Sequence, residues 1–249
     1  MQYVISDIHG CYAEYLELLE KIHFSDEDDL YVLGDAMDRG PEPIRVIQDM
    51  MRRSNVFYIQ GNHDDMFLTV IRHLAVEITS ETIQNISTNM LMAYQNWIAN
   101  GGESTIQQFL QLSQPEQRDI LDYLEDASYY EMLENKHCLY ILVHAGIEHF
   151  SPEKELDTYQ PVDFLWYRPD YEKRYFPSER IFLVTGHTPT PLIREDRKPL
   201  IYRGNGHIAI DCGCVFGGML AAYCIETGKT YYVHSKQNPL SEKKIDEQK

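Results

Sequence analysis

Five polar clusters interrupt apolar stretches of this chain: Asp7-Ile8-His9-Gly10, Gly34-Asp35, Gly61-Asn62-His63-Asp64, His144-Ala145-Gly146 and Gly186-His187. Asp7, His9, Asp35, Asn62, His144 and His187 together offer oxygen and nitrogen donors and no thiolate. Such a set suits Mn, Fe or Zn and disfavours a structural cysteine-zinc site. The glycines beside them let the backbone crowd close to an ion or a phosphate. A single aspartate after a strand is equally well read as the cap of the next helix. Five clusters at five strand ends favour one shared crevice, because strand ends on one edge of an α/β sheet open into common space. Cys212-Gly213-Cys214 also invites a metal or redox reading. Cysteine is among the most buried residue types, so a packed core edge is the expectation there.

With the longer blocks Gly34-Asp35-Ala36-Met37-Asp38-Arg39-Gly40 and Gly186-His187-Thr188 included, the chain resembles the phosphoprotein phosphatase (PPP-type) branch of the calcineurin-like metallophosphoesterases, block by block and in the same order. That resemblance implies an α/β fold of the metallophosphoesterase type, a β-sandwich flanked by helices. It implies two divalent metal ions, Mn2+ first with Fe or Zn as alternatives, held ~3.5–4 Å apart. Asp7 and His9 would bind the first ion, Asp35 would bridge, and Asn62, His144 and His187 would bind the second. A hydroxide bridging the ions is the implied nucleophile. His63 takes the place of the general acid, and Asp64 is expected to orient its imidazole. Arg39, Asn62 and Arg168 are implied to bind substrate, the two guanidinium groups holding phosphate oxygens; Arg174 and Arg180 compete with Arg168. Asp38 is expected to pair with Arg39. The segment from Asn100 to Thr105, with Trp97 before it, resembles one that small bacterial relatives place near the active site. Its plain reading is a turn between helices.

The implied reaction is hydrolysis of phosphomonoesters, phosphoserine or phosphothreonine in proteins first, with symmetrical cleavage of dinucleoside tetraphosphates as the alternative. A non-catalytic phosphate-binding scaffold would lack a ligand, the acid or an arginine, and the set shows no such gap.

The elements that must position these groups alternate at first. Residues 3–6, 30–33 and 56–60 read as strands, with helices at 12–22 and 42–53, a βαβαβ opening. From 66 to about 133 the pattern is helical, broken at Asn100-Gly101-Gly102 and Ser113-Gln114-Pro115, and reads as a helical insertion flanking the site. Strand patterns return at 139–143, 181–185, 208–210, 219–225 and 230–233, with a hairpin turn at 226–229. One domain over residues 1–234 and a polar tail over 235–249 complete the expectation.

Composition narrows the partners. The chain has 249 residues and a net charge of -17, which repels nucleic-acid polymers. A phosphorylated protein or a dinucleoside polyphosphate is the expected substrate, and the bound cations must supply the attraction. Apolar runs such as 139–143 are far short of the ~20 residues of a membrane span. No secretory pattern opens the sequence, and its five cysteines form no regular framework, so reduced thiols and a cytoplasmic location are expected. His23, His73, His137, His149, His207 and His234 lie outside the clusters and read as ordinary histidines.

Overall fold

The apolar stretches pair into two sheets that face each other. The computed structural model describes residues 1–74, 88–135 and 137–237. Strands β1 (Gln2–Ile5), β2 (Asp29–Leu33) and β3 (Val56–Ile59) run parallel, joined by helices α1 (Tyr12–Lys21) and α2 (Pro43–Met51). Helix α3 (Asn62–Leu74) follows. Next come α4 (Thr88–Trp97), a π turn (Ile98–Gly102), α5 (Glu103–Phe109) and α6 (Gln114–Glu125). The second half supplies β4 (Tyr130–Glu134), β5 (Leu139–Val143), β6 (Ile181–Thr185), a one-turn helix α7 (Thr190–Ile193), β7 (Tyr202–Gly204), β8 (His207–Ala209), β9 (Met219–Cys224) and β10 (Thr230–His234). The first sheet has the order β10-β9-β1-β2-β3 and the second β4-β5-β6-β8-β7. In the second, β5, β6 and β8 are parallel while β4 and β7 are antiparallel edges.

Both faces of each sheet are covered, which is why the central strands read as nearly continuous apolar runs. Side chains alternate between the two layers. Val4, Tyr31, Leu33 and Ile59 of the first sheet meet Tyr140, Leu142, Val184 and Ile208 of the second. On the opposite face Tyr3, Ile5, Leu30 and Val32 pack with Tyr15, Leu18, Ile47 and Phe67 of the helices. Ile141, Val143 and Leu183 pack beneath Ile147, Tyr159 and Phe164. Leu18 and Ile47 are fully buried, each burial contributing about 1.5–3 kcal/mol.

The expected strands and hairpin are present. Two short edge strands were not foreseen. β4 lies at the end of the stretch read as a helical insertion, and β7 lies in a stretch read as loop. Part of that insertion, residues 75–87, and the polar tail from 238 onward lie outside the described residues. The break before Gln114 is a helix start, because Ser113 donates from both its backbone N and its Oγ to Glu116 Oε2, at 2.9 and 2.6 Å, a capping box. Among the described residues no helix is long and apolar enough to cross a membrane.

Candidate active site

Every sequence cluster sits at the C-terminal end of a parallel strand. Asp7 and His9 follow β1, Asp35 follows β2, and Asn62 and His63 open α3 after β3; His144 follows β5 and His187 follows β6. The two sheets face each other at this rim. The backbone N of His187 donates to Asp7 Oδ2 at 2.9 Å, and His144 Nδ1 lies 2.8 Å from the carbonyl of Leu33. The strand-end loops are tightly bent. Asp7, His9, Asp35, Asp38, Arg39 and His187 all have φ between 44° and 65°, a conformation uncommon for non-glycine residues and concentrated where function holds the backbone.

The donor atoms converge. Asp35 Oδ2 lies 3.6 Å from His9 Nε2, 3.5 Å from His144 Nε2 and 4.0 Å from His63 Nε2. Asn62 Oδ1 lies 2.9 Å from His144 Nε2 and 3.0 Å from His187 Nδ1. His9 and His144 present their other ring nitrogens, both Nδ1, to the carbonyls of Met37 and Leu33 at 2.7 and 2.8 Å. A proton on Nδ1 satisfies those carbonyls and leaves each Nε2 lone pair facing the site, the orientation a metal ligand needs. Burial holds the imidazoles of His9, His63 and His187 well below their ordinary pKa, and it holds the carboxyls of Asp7 and Asp35 well above theirs. Neutral imidazoles beside several buried carboxyls, with the one guanidinium of Arg39 among them, fit a pair of divalent cations, which would invert that balance. Five of the six residues expected as metal ligands, His9, Asp35, Asn62, His144 and His187, therefore surround one space, and Asp7 is tied to its edge through the backbone N of His187.

The partner of His63 corrects the sequence reading. His63 Nδ1 meets Asp38 Oδ2 at 2.7 Å, so Asp38, and not Asp64, orients the imidazole. Asp64 Oδ2 instead accepts from Tyr58 Oη at 2.6 Å, Gly61 N at 2.7 Å and Asp35 N at 3.3 Å, tying together the loops after β2 and β3. Among the described residues no hydrogen bond joins Asp38 to Arg39, and the two act on each other through charge alone. Asp38 Oδ2 also accepts from Trp97 Nε1 at 2.8 Å, and its Oδ1 from Thr105 Oγ1 at 2.6 Å. Trp97 and Thr105 flank the π turn, so the segment that reads plainly as a turn between helices reaches the site. Gly101 (φ 105°) allows the close approach: a Cβ there would lie 2.7 Å from Arg39 Cγ.

Burial raises the Asp38 carboxyl to about 6, opposed by the Thr105 and Trp97 donors. Thr105→Val removes one donor to the charged form, so it raises that pKa further and leaves less ionised Asp38 to favour the protonated form of His63. We expect turnover of an alkyl phosphomonoester to fall by the equivalent of about 1–3 kcal/mol. The loss should deepen as pH is lowered toward 6, and Thr105→Ser should restore activity. A flat pH–rate comparison between the variants would remove Asp38 from the argument.

Arg39 is half-buried at the centre of the site. Its Nη1 lies 2.7 Å from His9 Nε2, its Nε donates to the Asn100 carbonyl at 3.3 Å, and its Cζ lies 5.2 Å from the Phe216 ring centroid. Arg168 is exposed, and its charge lowers the pKa of both His187 and Asp211. Arg174 donates to the Ser178 carbonyl at 3.1 Å, so of the competing arginines Arg168 has the electrostatic reach into the site. Asp211, after β8, was missed by the sequence reading. It is buried, its carboxyl is raised to about 6 by burial, and it raises Asp7 in turn. Its signal was the one used elsewhere, a strand ending in a polar residue close to a glycine. Cys212 and Cys214 are buried free thiols, as expected of a core edge.

Residues 3–222 match the family described as Calcineurin-like phosphoesterase. The chain is 28% identical over 268 aligned positions to bis(5'-nucleosyl)-tetraphosphatase PrpE (asymmetrical) of Geobacillus sp. (strain WCH70), with 96% of each chain covered. It is 31% identical over 158 positions to the symmetrical bis(5'-nucleosyl)-tetraphosphatase of Buchnera aphidicola subsp. Schizaphis graminum (strain Sg), covering 63% of this chain and 47% of that one. A crystal structure of a protein proposed to be a diadenosine tetraphosphatase superposes with a TM-score of 0.64 at 20% identity, covering 95% of this chain and 94% of the other. That likeness concerns the fold.

Proposed function

The chain belongs to the calcineurin-like phosphoesterase family and is a hydrolase, and from that premise we propose that it cleaves dinucleoside tetraphosphates with two bound divalent cations. The hydrolytic half of this reading is carried by the convergence of Asp35 and Asn62 oxygens on the ring nitrogens of His9, His144 and His187. The substrate half is supported by the name shared by relatives that align with nearly the whole chain. It takes up the substrate of the alternative in the sequence reading, though not its symmetrical cleavage, in preference to phosphoserine or phosphothreonine. The relatives covered over most of their length are of the asymmetrical kind, so the proposed products are a nucleoside triphosphate and a nucleoside monophosphate.

In this reading Asp7 and His9 hold one cation, Asn62, His144 and His187 the other, and Asp35 both. Mn2+ is the proposed metal, and Fe or Zn would suit the same donors. Bound there, the cations supply Lewis acidity to the phosphoryl oxygens and make hydroxide available near neutral pH. Arg39 and Arg168 supply planar guanidinium groups to the remaining phosphate oxygens. Burial favours the neutral ring of His63, so its acid form depends on the ionised Asp38 at Nδ1; protonated against that carboxylate, it would present an Nε2–H that it can give to a departing oxygen.

The test is a side-by-side assay of manganese-loaded protein on diadenosine tetraphosphate and a panel of phosphopeptides, with product analysis. The tetraphosphate should show the higher kcat/KM and yield AMP and ATP. A higher kcat/KM on phosphopeptides would return the assignment to a protein phosphatase, and two molecules of ADP would make the cleavage symmetrical.

A further inference from the structure

A cleft of about 180 Å³ opens between the loops that follow β6 and β8, walled by Pro189, Pro191, Pro199, Phe216 and the backbone of Gly213 and Gly217. We propose that this cleft is a nucleobase subsite of the active site, taking one base of the substrate by its flat face; the inference rests on the dinucleoside reading above.

The position of the cleft is the first argument. Pro189 stands two residues after His187, and Cys212, at the edge of the cleft, directly follows the buried Asp211. The Phe216 ring centroid is 5.2 Å from Arg39 Cζ, and Arg39 Nη1 is 2.7 Å from His9 Nε2. Arg39 thus lies between the cleft and the metal ligands. A nucleoside phosphate needs that order: base against the aromatic ring, phosphate against the guanidinium and the cations.

Size and chemistry are the second argument. The volume is below the ~300–1,000 Å³ that encloses a whole drug-sized ligand, and it suits a single planar ring system. No wall residue carries a charged side chain, and Cys212 is kept as a thiol, its pKa pushed up to about 12 chiefly by burial. A phosphate has nothing to bind in such walls, whereas the face of a base has an aromatic ring on which to stack. Recognition through the face is indifferent to the base's edge, so adenine and guanine should bind alike.

The cleft is also built in advance. Gly213 and Gly217 have φ of 68° and 89°, and the loop closes on itself through Gly218 N to Gly213 O at 2.9 Å and Met219 N to Cys212 O at 3.0 Å. The prolines opposite have fixed φ. A base entering between two such walls orders little else.

The experiment compares AMP with ribose 5-phosphate as competitive inhibitors of p-nitrophenyl phosphate hydrolysis by the manganese-loaded protein. AMP should inhibit about 10–100-fold more tightly, the usual worth of one stacked base. Phe216→Ala should collapse that ratio, and Phe216→Leu, which keeps most of the volume, should lower it too; Phe216→Tyr should preserve it. The ratio cancels any common effect transmitted through Arg39. Equal inhibition in the wild type would overturn the proposal. So would an unchanged ratio in the folded Ala and Leu variants, which would place the base elsewhere, as on the exposed Trp166 beside His187. Should the enzyme turn over no tetraphosphate while AMP keeps its Phe216-dependent advantage, the substrate reading fails and the cleft stands. Tetraphosphate turnover without that advantage sinks the cleft alone.

Discussion

Replacing Asp35 with asparagine should reduce kcat/KM by at least ~10³-fold and strip the protein of tightly held divalent metal. Among the described residues its Oδ2 is the one carboxylate oxygen within 4.0 Å of the facing nitrogens of His9, His63 and His144, while Oδ1 accepts from the backbone N of His63 at 3.0 Å. The amide keeps the shape and loses the charge. If its NH2 took the Oδ2 position, it would donate to the imidazole lone pairs that a cation needs. Several kcal/mol of charge stabilisation depend on those cations, and each 1.36 kcal/mol is tenfold in rate. Metal content measured by mass spectrometry of the purified protein distinguishes this loss from misfolding. A buried neutral amide costs less than a buried carboxylate, so the metal-free variant should unfold no earlier than the metal-free wild type. Retention of both ions with activity within tenfold of wild type would remove Asp35 from the centre of the site.

The second large effect is selective. His63→Asn should leave metal content unchanged: Asp38 holds the imidazole through Nδ1, and Nε2 stands 4.0 Å from Asp35 Oδ2, farther than the facing nitrogens of His9 and His144. It should slow hydrolysis of an alkyl phosphomonoester by ~10²–10⁴-fold, the range of a general acid. An alkoxide leaves poorly without a proton, whereas a phosphate leaving from an anhydride is already a stable anion. The loss on diadenosine tetraphosphate should therefore be much smaller. Equal losses on both substrates would mean that His63 does something other than protonate the leaving oxygen, and a fall in bound metal would make it a ligand.

The convergence of these donors was legible because each cluster is local: an apolar strand, a sharp turn, a polar side chain. The assignment of Asp64 to His63 failed for a reason of helix geometry. The two are neighbours at the start of α3, and consecutive residues on a helix do not face each other. The carboxylate that does face His63 comes from the loop after β2, with its donors Trp97 and Thr105 more than fifty residues further along. That pairing is tertiary, and no local pattern records it. The edge strands escaped notice for a different reason. β4 is half-exposed with Glu131 and Glu134 in it, and β7 is three residues long, so neither shows a clear two-residue period. The choice between a phosphoprotein and a dinucleotide depends on side chains around the ligands rather than on the ligands themselves, and the clusters are silent about it.

The grip of Trp97 and Thr105 on Asp38 also orders events during synthesis. A nascent chain that has emerged as far as Asp64 already contains Asp7, His9, Asp35, Asn62 and His63, yet the carboxylate meant to face His63 still lacks both of its side-chain donors. Those arrive with α4 and α5, and His144 and His187 come only with the second sheet. The surroundings of His63 and the full set of donors proposed to hold the cations are thus completed only with the second sheet, so on this reading a half-made chain lacks the site proposed to act on phosphate esters.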